Sequence, residues 1–214
     1  FCALFTAMAA YLCICIPSHS EELFNNSYNS RQSVLAQQNT RGTICSADGE
    51  VLAETVTEDG KEVRQYPYAN MFSHIVGYST RGKTGLESLA NYDLINTSAS
   101  ASEQAENAAD GVKNPGNNLV TTLDVSLQEA AYNAMGLYEG AIVVMEPSTG
   151  KILAMVSKPD FDPNEIAQEW ENLNQDGSSV LLNRASQGLY PPGSTFKIIT
   201  ALEYIRENPD DWEN

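Results

Sequence analysis

The sequence predicts a mixed fold of the α+β or α/β type. Two apolar runs flank a turn at Pro147-Ser148-Thr149-Gly150, which is typical of a β-hairpin with a buried strand on each side. Apolar residues recur at helical spacing before and after this hairpin. A hairpin with helices on both sides indicates a sheet domain, of which the chain contains the first part.

The composition is that of a globular protein with a substantial core. The chain has 214 residues, of which 42% are hydrophobic and 19% charged. The formal net charge is −16. Because so much negative charge repels a phosphate backbone, we expect no nucleic-acid partner.

Residues 1–17 are predicted to be a transmembrane anchor that has lost its amino-terminal part. The run from Phe1 to Ile16 is almost wholly apolar and is slightly shorter than the roughly 20 residues of a spanning helix. The chain begins with Phe, and the acidic Glu21-Glu22 is typical of the outward-facing side. A cleaved signal peptide is the alternative, and a buried core helix is the third possibility.

The cysteines and histidines predict neither a disulfide framework nor a metal site. Three of the four cysteines, Cys2, Cys13 and Cys15, lie inside the apolar run, which leaves Cys45 without a partner. The two histidines are far apart in the sequence. We therefore expect no metal or cofactor.

The first half of the chain is predicted to be a linker followed by a β-rich region. Residues 18–40 are polar and are interpreted as a linker with some helix, and Asp48-Gly49 marks the turn of a hairpin over 41–53. A helix is predicted to follow Gly85 and continue through Asp93. Residues 96–118 are small, polar and rich in Gly, Asn and Ser, which is typical of an exposed loop. We expect domains over 18–115 and 116–214.

The second half shows more regular patterns. A strand is predicted over Leu119–Leu123, and Asp124 can cap a helix over 125–138. The hairpin strands are Ala141–Met145 and Ile152–Val156, and a helix is predicted over 164–173. The last predicted helix begins at Ser194 and ends before Pro209.

This last helix begins with a serine and carries a lysine three residues later. Ser194 and Lys197 then lie on one face, one turn apart. Serine is a weak nucleophile until a base removes its proton, and Lys197 could be that base if Phe196, Ile198 and Ile199 bury it and disfavour its charged form. The helix dipole and free backbone N–H groups at a helix start could stabilise an oxyanion.

The Ser-x-x-Lys pattern alone is weak evidence. Ser148 and Lys151 have the same spacing, but they lie at the turn between the two hairpin strands, where Lys151 would not stack over Ser148. Ser194 could also be a simple N-cap, because serine is favoured in that position. The residues around Ser194 have to distinguish a nucleophile from a simple N-cap.

Several ordered motifs resemble those of penicillin-binding proteins, the serine D,D-transpeptidases of cell-wall synthesis. Pro192-Gly193-Ser194-Thr195-Phe196-Lys197 resembles their active-site motif. Upstream segments resemble the start of their transpeptidase domain and its first hairpin: Thr121-Thr122-Leu123-Asp124, residues 140–157, Phe161-Asp162-Pro163-Asn164 and Asn183-Arg184-Ala185. Arg41-Gly42-Thr43-Ile44 and Gly85-Leu86-Glu87 resemble the amino-terminal pedestal of class B members, so we name residues 18–115 the pedestal region and expect Arg41 to pair with Glu87.

The resemblance implies a serine β-lactamase-like transpeptidase fold that is incomplete at the carboxyl end. It implies that Ser194 is the acylated nucleophile and Lys197 the general base. Peptidoglycan stem peptides would be the substrates, β-lactams would acylate the same serine, and cell division or elongation proteins would be partners. The protein would be a single-pass protein of the bacterial cell membrane with its catalytic part outside the cytoplasm.

The family also requires a Ser-x-Asn motif and a Lys-Thr/Ser-Gly strand after Lys197, and neither follows it here. Lys83-Thr84-Gly85 lies upstream and is interpreted as pedestal structure. The 214 residues alone are therefore expected to be inactive. A serine β-lactamase or β-lactam sensor is the alternative enzyme, although the long pedestal argues against it. A non-catalytic pedestal module that binds other cell-wall proteins is the third possibility.

Overall fold

The computed structural model describes residues 1–18, 31–175, 177 and 179–209. The α-helices are α1 Cys2–Ser18, α2 Arg31–Gln38, α3 Ser73–Val76, α4 Gly85–Leu89, α5 Asn91–Ile95, α6 Ala101–Asp110, α7 Val125–Met135, α8 Ile166–Gln175, α9 Arg184–Gln187 and α10 Phe196–Glu207. The strands are β1 Asn39–Thr40, β2 Ile44–Cys45, β3 Val51–Glu58, β4 Lys61–Gln65, β5 Asn114–Pro115, β6 Leu119–Val120, β7 Gly140–Met145 and β8 Ile152–Lys158. Short 3₁₀ turns cover Ala69–Phe72 and Gly193–Thr195.

The apolar amino-terminal run forms α1, which has 17 residues and contains Pro17 in its last turn. Among the helices of the described residues, none combines the length and the apolar character needed to cross a membrane. The acidic pair Glu21-Glu22 lies outside the described residues. Part of the predicted linker is helical, since α2 covers Arg31–Gln38.

The pedestal region contributes three strands to a four-stranded sheet in the order β4-β3-β2-β6, and β6 lies just after the region. The predicted hairpin is confirmed: β2 and β3 are antiparallel around Gly49, whose φ of +92° favours glycine. A second hairpin, which was not predicted, joins β3 and β4 through Asp59-Gly60, the same turn signal. The strand predicted over Leu119–Leu123 is shorter, because only Leu119–Val120 pairs with β2.

The two ends of the pedestal region lie side by side. In β1 and β5, Asn39 is paired with Asn114 in a parallel two-stranded sheet. In β2 and β6, Ile44 is paired with Leu119, also in parallel. The strands that enter and leave the region therefore run in the same direction next to each other.

The exposed loop predicted over residues 96–118 is wrong in part, because it contains α6. Ser100 and Glu103 form a capping box, in which Ser100 accepts from the Glu103 N–H and Glu103 accepts from the Ser100 N–H. Gly111 ends the helix in the left-handed conformation. Local capping outweighed a composition that is otherwise typical of a loop.

The pedestal core surrounds a buried carboxylate. Ile44, Leu52 and Leu94 are fully or almost fully buried, and so is Glu87. The predicted pair is confirmed, since Arg41 Nε lies 2.5 Å from Glu87 Oε2. Arg64 is a second partner, with its Nε 2.7 Å from Glu87 Oε1.

The second half contains the antiparallel hairpin β7–β8 with α7 packed against it. Asp124 caps α7 by accepting from the Leu127 N–H at 2.8 Å, as predicted. The helix ends at Met135, three residues before the predicted end, because Gly136 adopts a φ of +55°. Trp170 of α8 packs against Tyr78 and the cluster around Phe161.

Several side chains join the pedestal region to the second half. Gln128 of α7 is fully buried and donates to the Met71 and Met155 carbonyls at 2.7 and 2.9 Å. The Asn164 amide pairs with the backbone of Tyr66, accepting from its N–H at 2.9 Å and donating to its carbonyl at 3.1 Å. These contacts place the hairpin and its helices directly against the pedestal.

Candidate active site

Ser194 and Lys197 lie on one continuous helical segment. Gly193, with a φ of +54°, follows two prolines and opens the 3₁₀ turn Gly193–Thr195. The α-helix α10 then begins at Phe196, two residues later than the predicted start. A separation of three residues on such a segment brings two side chains to one face. The predicted juxtaposition of hydroxyl and amine is thus compatible with the backbone.

The N-cap interpretation of Ser194 is wrong. The residue in the N-cap position of α10 is Thr195, and no side-chain capping bond is present there. Ser194 lies inside the preceding 3₁₀ turn, where its hydroxyl is exposed. The Ser194 hydroxyl therefore does not cap the start of the helix.

The apolar setting predicted for Lys197 is not formed by the described residues. Lys197 is exposed, and so are the apolar side chains of α10: Phe196, Ile198, Ile199, Leu202, Tyr204 and Ile205. The side chains of a single helix cannot bury a lysine of that helix, so burial of Lys197 requires another element to pack over it. A helix with apolar residues on more than one face is typical of a buried helix.

A shallow groove runs beside the lysine along α10. It is lined by Lys197, Thr200, Ala201, Tyr204 and Ile205. The first N–H groups of a helical segment have no partner within that segment. The arrangement therefore presents a hydroxyl, an amine and backbone N–H donors on one accessible surface, which are the groups that nucleophilic acyl transfer needs.

The other two candidate motifs are structural, as predicted. Ser148 and Lys151 lie around the turn between β7 and β8, where Gly150 has a φ of +77°. Lys83-Thr84-Gly85 lies in the pedestal at the start of α4. A Cβ on Gly85 would lie 2.6 Å from the Ile75 carbonyl oxygen, so close packing explains that glycine.

The segment that leads to Ser194 begins with α9, which packs against β7 and β8. Asn183 caps α9 by accepting from the N–H groups of Ala185 and Ser186. The Tyr190 ring lies beside Gly188. This role of Asn183 was not predicted, although an asparagine before a short helix is a recognisable capping signal.

Comparison with known proteins assigns both halves of the chain. Residues 41–119 match the family model of the penicillin binding protein A dimerisation domain. Residues 140–210 match that of the penicillin binding protein transpeptidase domain. Ser194 and Lys197 therefore lie within the transpeptidase match.

The relatives are cell-wall enzymes of bacteria. The chain is 38% identical over 198 residues to the peptidoglycan D,D-transpeptidase PbpA of Mycolicibacterium smegmatis. This alignment covers 83% of this chain and 40% of that protein. It is 37% identical over 203 residues to PbpA of Mycobacterium tuberculosis, and that alignment covers 86% of this chain and 41% of the relative. The chain thus spans about two fifths of the length of these relatives.

Solved structures show the same fold. An imipenem acyl-enzyme complex of penicillin-binding protein A from M. tuberculosis has a TM-score of 0.70 and 34% identity, covering 78% of this chain and 43% of that one. A D,D-transpeptidase domain of a peptidoglycan glycosyltransferase from Eggerthella lenta has a TM-score of 0.68 and 38% identity. The match covers 80% of this chain and 38% of that one.

Proposed function

Because this chain belongs to the class B penicillin-binding proteins, we propose that its complete gene product is a peptidoglycan D,D-transpeptidase with Ser194 as the nucleophile. The observation that carries the proposal is the exposed Ser194–Lys197 pair on one helical segment within the transpeptidase match. Imipenem forms an acyl-enzyme with a relative of the same fold, which supports serine acylation.

In the proposed reaction, Lys197 accepts the Ser194 proton while Ser194 Oγ attacks the penultimate D-alanine carbonyl of a stem peptide. The Ser194 N–H supplies one oxyanion donor. The C–N bond to the terminal D-alanine breaks, and that residue leaves with a proton. The amine of a neighbouring stem then attacks the ester, which restores Ser194 and forms the cross-link.

We propose that the 214 residues alone do not complete this reaction. No Ser-x-Asn or Lys-Thr/Ser-Gly motif follows Lys197 in the sequence, and α10 leaves Lys197 exposed. Burial disfavours the charged form of a lysine and so makes it a better proton acceptor. Packing of further elements on α10 would supply the burial that this lysine needs.

The proposed location is the bacterial cell membrane, with the catalytic part outside the cytoplasm. The apolar residues 1–17 support it, because they precede the folded part and carry no charged side chain. We also propose a pedestal region over 18–115 and a transpeptidase region over 116–214. The dimerisation match over 41–119 supports a boundary close to residue 115.

Labelling with a fluorescent penicillin tests the function. The complete gene product should form a stable covalent adduct that the Ser194→Ala substitution abolishes. Ser148→Ala is the matched control, because Ser148 has the same Ser-x-x-Lys spacing at a hairpin turn and should leave labelling unchanged. Rapid release of the label would indicate a β-lactamase instead, and a folded protein without any label would contradict both enzymes.

A further inference from the structure

Asn183 contacts three parts of the molecule at the start of the segment that leads to Ser194. Its Nδ2 donates to the His74 carbonyl of the pedestal at 3.0 Å and lies 3.9 Å from the Met155 sulfur of β8. Its Oδ1 accepts from the N–H groups of Ala185 and Ser186 at 3.0 and 3.3 Å. One side-chain amide therefore ties the pedestal, the hairpin and α9 together.

A second contact fixes α9 to the hairpin. The Arg184 N–H donates to Ser157 Oγ at 2.9 Å, and Ser157 is 3% exposed. Since α9 also packs against both hairpin strands, its first turn is held from two sides. The hydrogen bond from Asn183 to the His74 carbonyl fixes the start of α9 to the pedestal.

The connection from α9 to Ser194 is short and stiff. It consists of residues 188–193, of which Pro191 and Pro192 have a restricted φ. Gly188 is packed so closely that a Cβ would lie 2.5 Å from the Arg184 carbonyl oxygen and 2.5 Å from the Tyr190 ring. A shift of α9 is therefore carried to the serine turn rather than absorbed by a flexible loop.

We propose that Asn183 is a positioning residue for Ser194, which sets the place of the serine turn relative to the pedestal through α9. The inference rests on the proposed acylation of Ser194. Nucleophilic attack is sensitive to geometry, and a displacement of about 1 Å can cost roughly 100-fold in rate. Loss of the bond to His74 therefore slows acylation more than it weakens the binding of the β-lactam.

The test substitution is Asn183→Asp in the complete gene product. Aspartate still caps α9, because it is as good an N-cap as asparagine. It cannot donate to the His74 carbonyl and places a second acceptor against it. Asn183→Ser is a second variant, since serine also caps helices but is too short to keep the bond to His74.

Asn164→Asp is the matched control. Asn164 also donates through Nδ2 to a pedestal carbonyl, that of Tyr66 at 3.1 Å. It precedes α8 rather than the serine turn, so its loss removes the same kind of contact without touching the connection to Ser194. The two Asn→Asp changes also add the same charge.

The readouts are the acylation rate constant and the non-covalent dissociation constant for a fluorescent penicillin, with the melting temperature of each variant. Asn183→Asp and Asn183→Ser should lower the acylation rate about 10- to 100-fold and leave the dissociation constant within about 3-fold. Asn164→Asp should keep the acylation rate within about 2-fold, although its melting temperature should fall by about as much as that of Asn183→Asp.

Three results would overturn the proposal: unchanged acylation in the Asn183 variants, an equal loss of rate in Asn164→Asp, or Asn183 variants that do not fold. The last two would show that Asn183 serves folding alone. Failure of the unsubstituted protein to be labelled would contradict the proposed function instead, so the two failures are distinguishable.

Discussion

The Glu87 carboxylate accepts charge-assisted hydrogen bonds from two guanidinium groups in the pedestal core. Arg41 and Arg64 each contact one of its oxygens, and Tyr66 OH lies 3.3 Å from Oε1. Burial lowers the pKa of Arg41, and the Glu87 carboxylate opposes this effect. The sequence allowed the Arg41 pair to be predicted by resemblance, but it gave no sign of Arg64, because only the β3–β4 hairpin brings that residue close.

Replacement of Glu87 by glutamine should strongly destabilise the chain. The substitution leaves two buried guanidinium groups without a counter-charge, which costs roughly 3–5 kcal/mol. Glu62→Gln is the control, because its partner Lys113 and Glu62 itself are about one third exposed and such pairs contribute roughly 0–1 kcal/mol. Urea unfolding measures both free energies. Equal losses in the two variants would contradict the central role of Glu87.

At the scale of elements, strands and helices with local signals could be predicted, and those that depend on distant residues could not. The Asp48-Gly49 hairpin and the Asp124 cap are encoded within a few residues. The α6 helix was not predicted although its capping box is equally local, because the polar composition of residues 96–118 is typical of a loop. The parallel partners of β1 and β2 follow neither from composition nor from periodicity, since they lie far along the chain.

The candidate active-site segment shows the same division. The proposal of Ser194 and Lys197 as nucleophile and base rests on ordered sequence motifs, and the helix that carries both residues has local signals as well. Their environment does not, because burial of Lys197 depends on elements that pack on α10 from elsewhere. Likewise, the capping position of Asn183 is a local signal, but its bond to His74 joins residues 109 positions apart.

Helix α7 packs on the hairpin, and the buried amide of Gln128 adds hydrogen bonds to both the pedestal and β8. Gln128→Leu should lower the free energy of unfolding by roughly 2–4 kcal/mol, because the Met71 and Met155 carbonyls and the Met155 N–H lose their partner. The neighbouring Glu129→Ala is the control, since that side chain is exposed and should cost less than about 0.5 kcal/mol. Urea unfolding compares the two variants. A loss below 1 kcal/mol in Gln128→Leu would show that water replaces the amide.

At the scale of the whole molecule, the pedestal and the second half meet around a buried histidine. His74 Nε2 lies 3.0 Å from the Pro159 carbonyl, so this nitrogen carries the proton. Its ring packs edge-on against Phe161. Burial lowers the pKa of His74, whereas the Pro159 carbonyl and Asp160 oppose the shift and Arg184 adds to it.

The lowered pKa of His74 predicts that acid loosens this contact between the halves. Below its ordinary pKa of about 6.5, the unfolded chain binds a proton that the folded chain resists, so stability falls as the pH drops towards the folded pKa. The wild type should lose stability relative to His74→Gln between about pH 7 and 5, by at most roughly 1.4 kcal/mol per pH unit. Glutamine can still donate to Pro159. Urea unfolding at each pH gives the difference, and parallel curves for the two proteins would refute the prediction.

The parallel pairing of β1 with β5 also dictates an order of folding during synthesis. Asn39 and Asn114 are 75 residues apart, so the entry strand cannot find its partner until the chain has been translated past the exit strand. The β2–β3–β4 hairpins need only neighbouring residues and can form earlier. The β2–β3–β4 meander can therefore form first during synthesis, and β5 and β6 can pair with β1 and β2 before the β7–β8 hairpin has been translated.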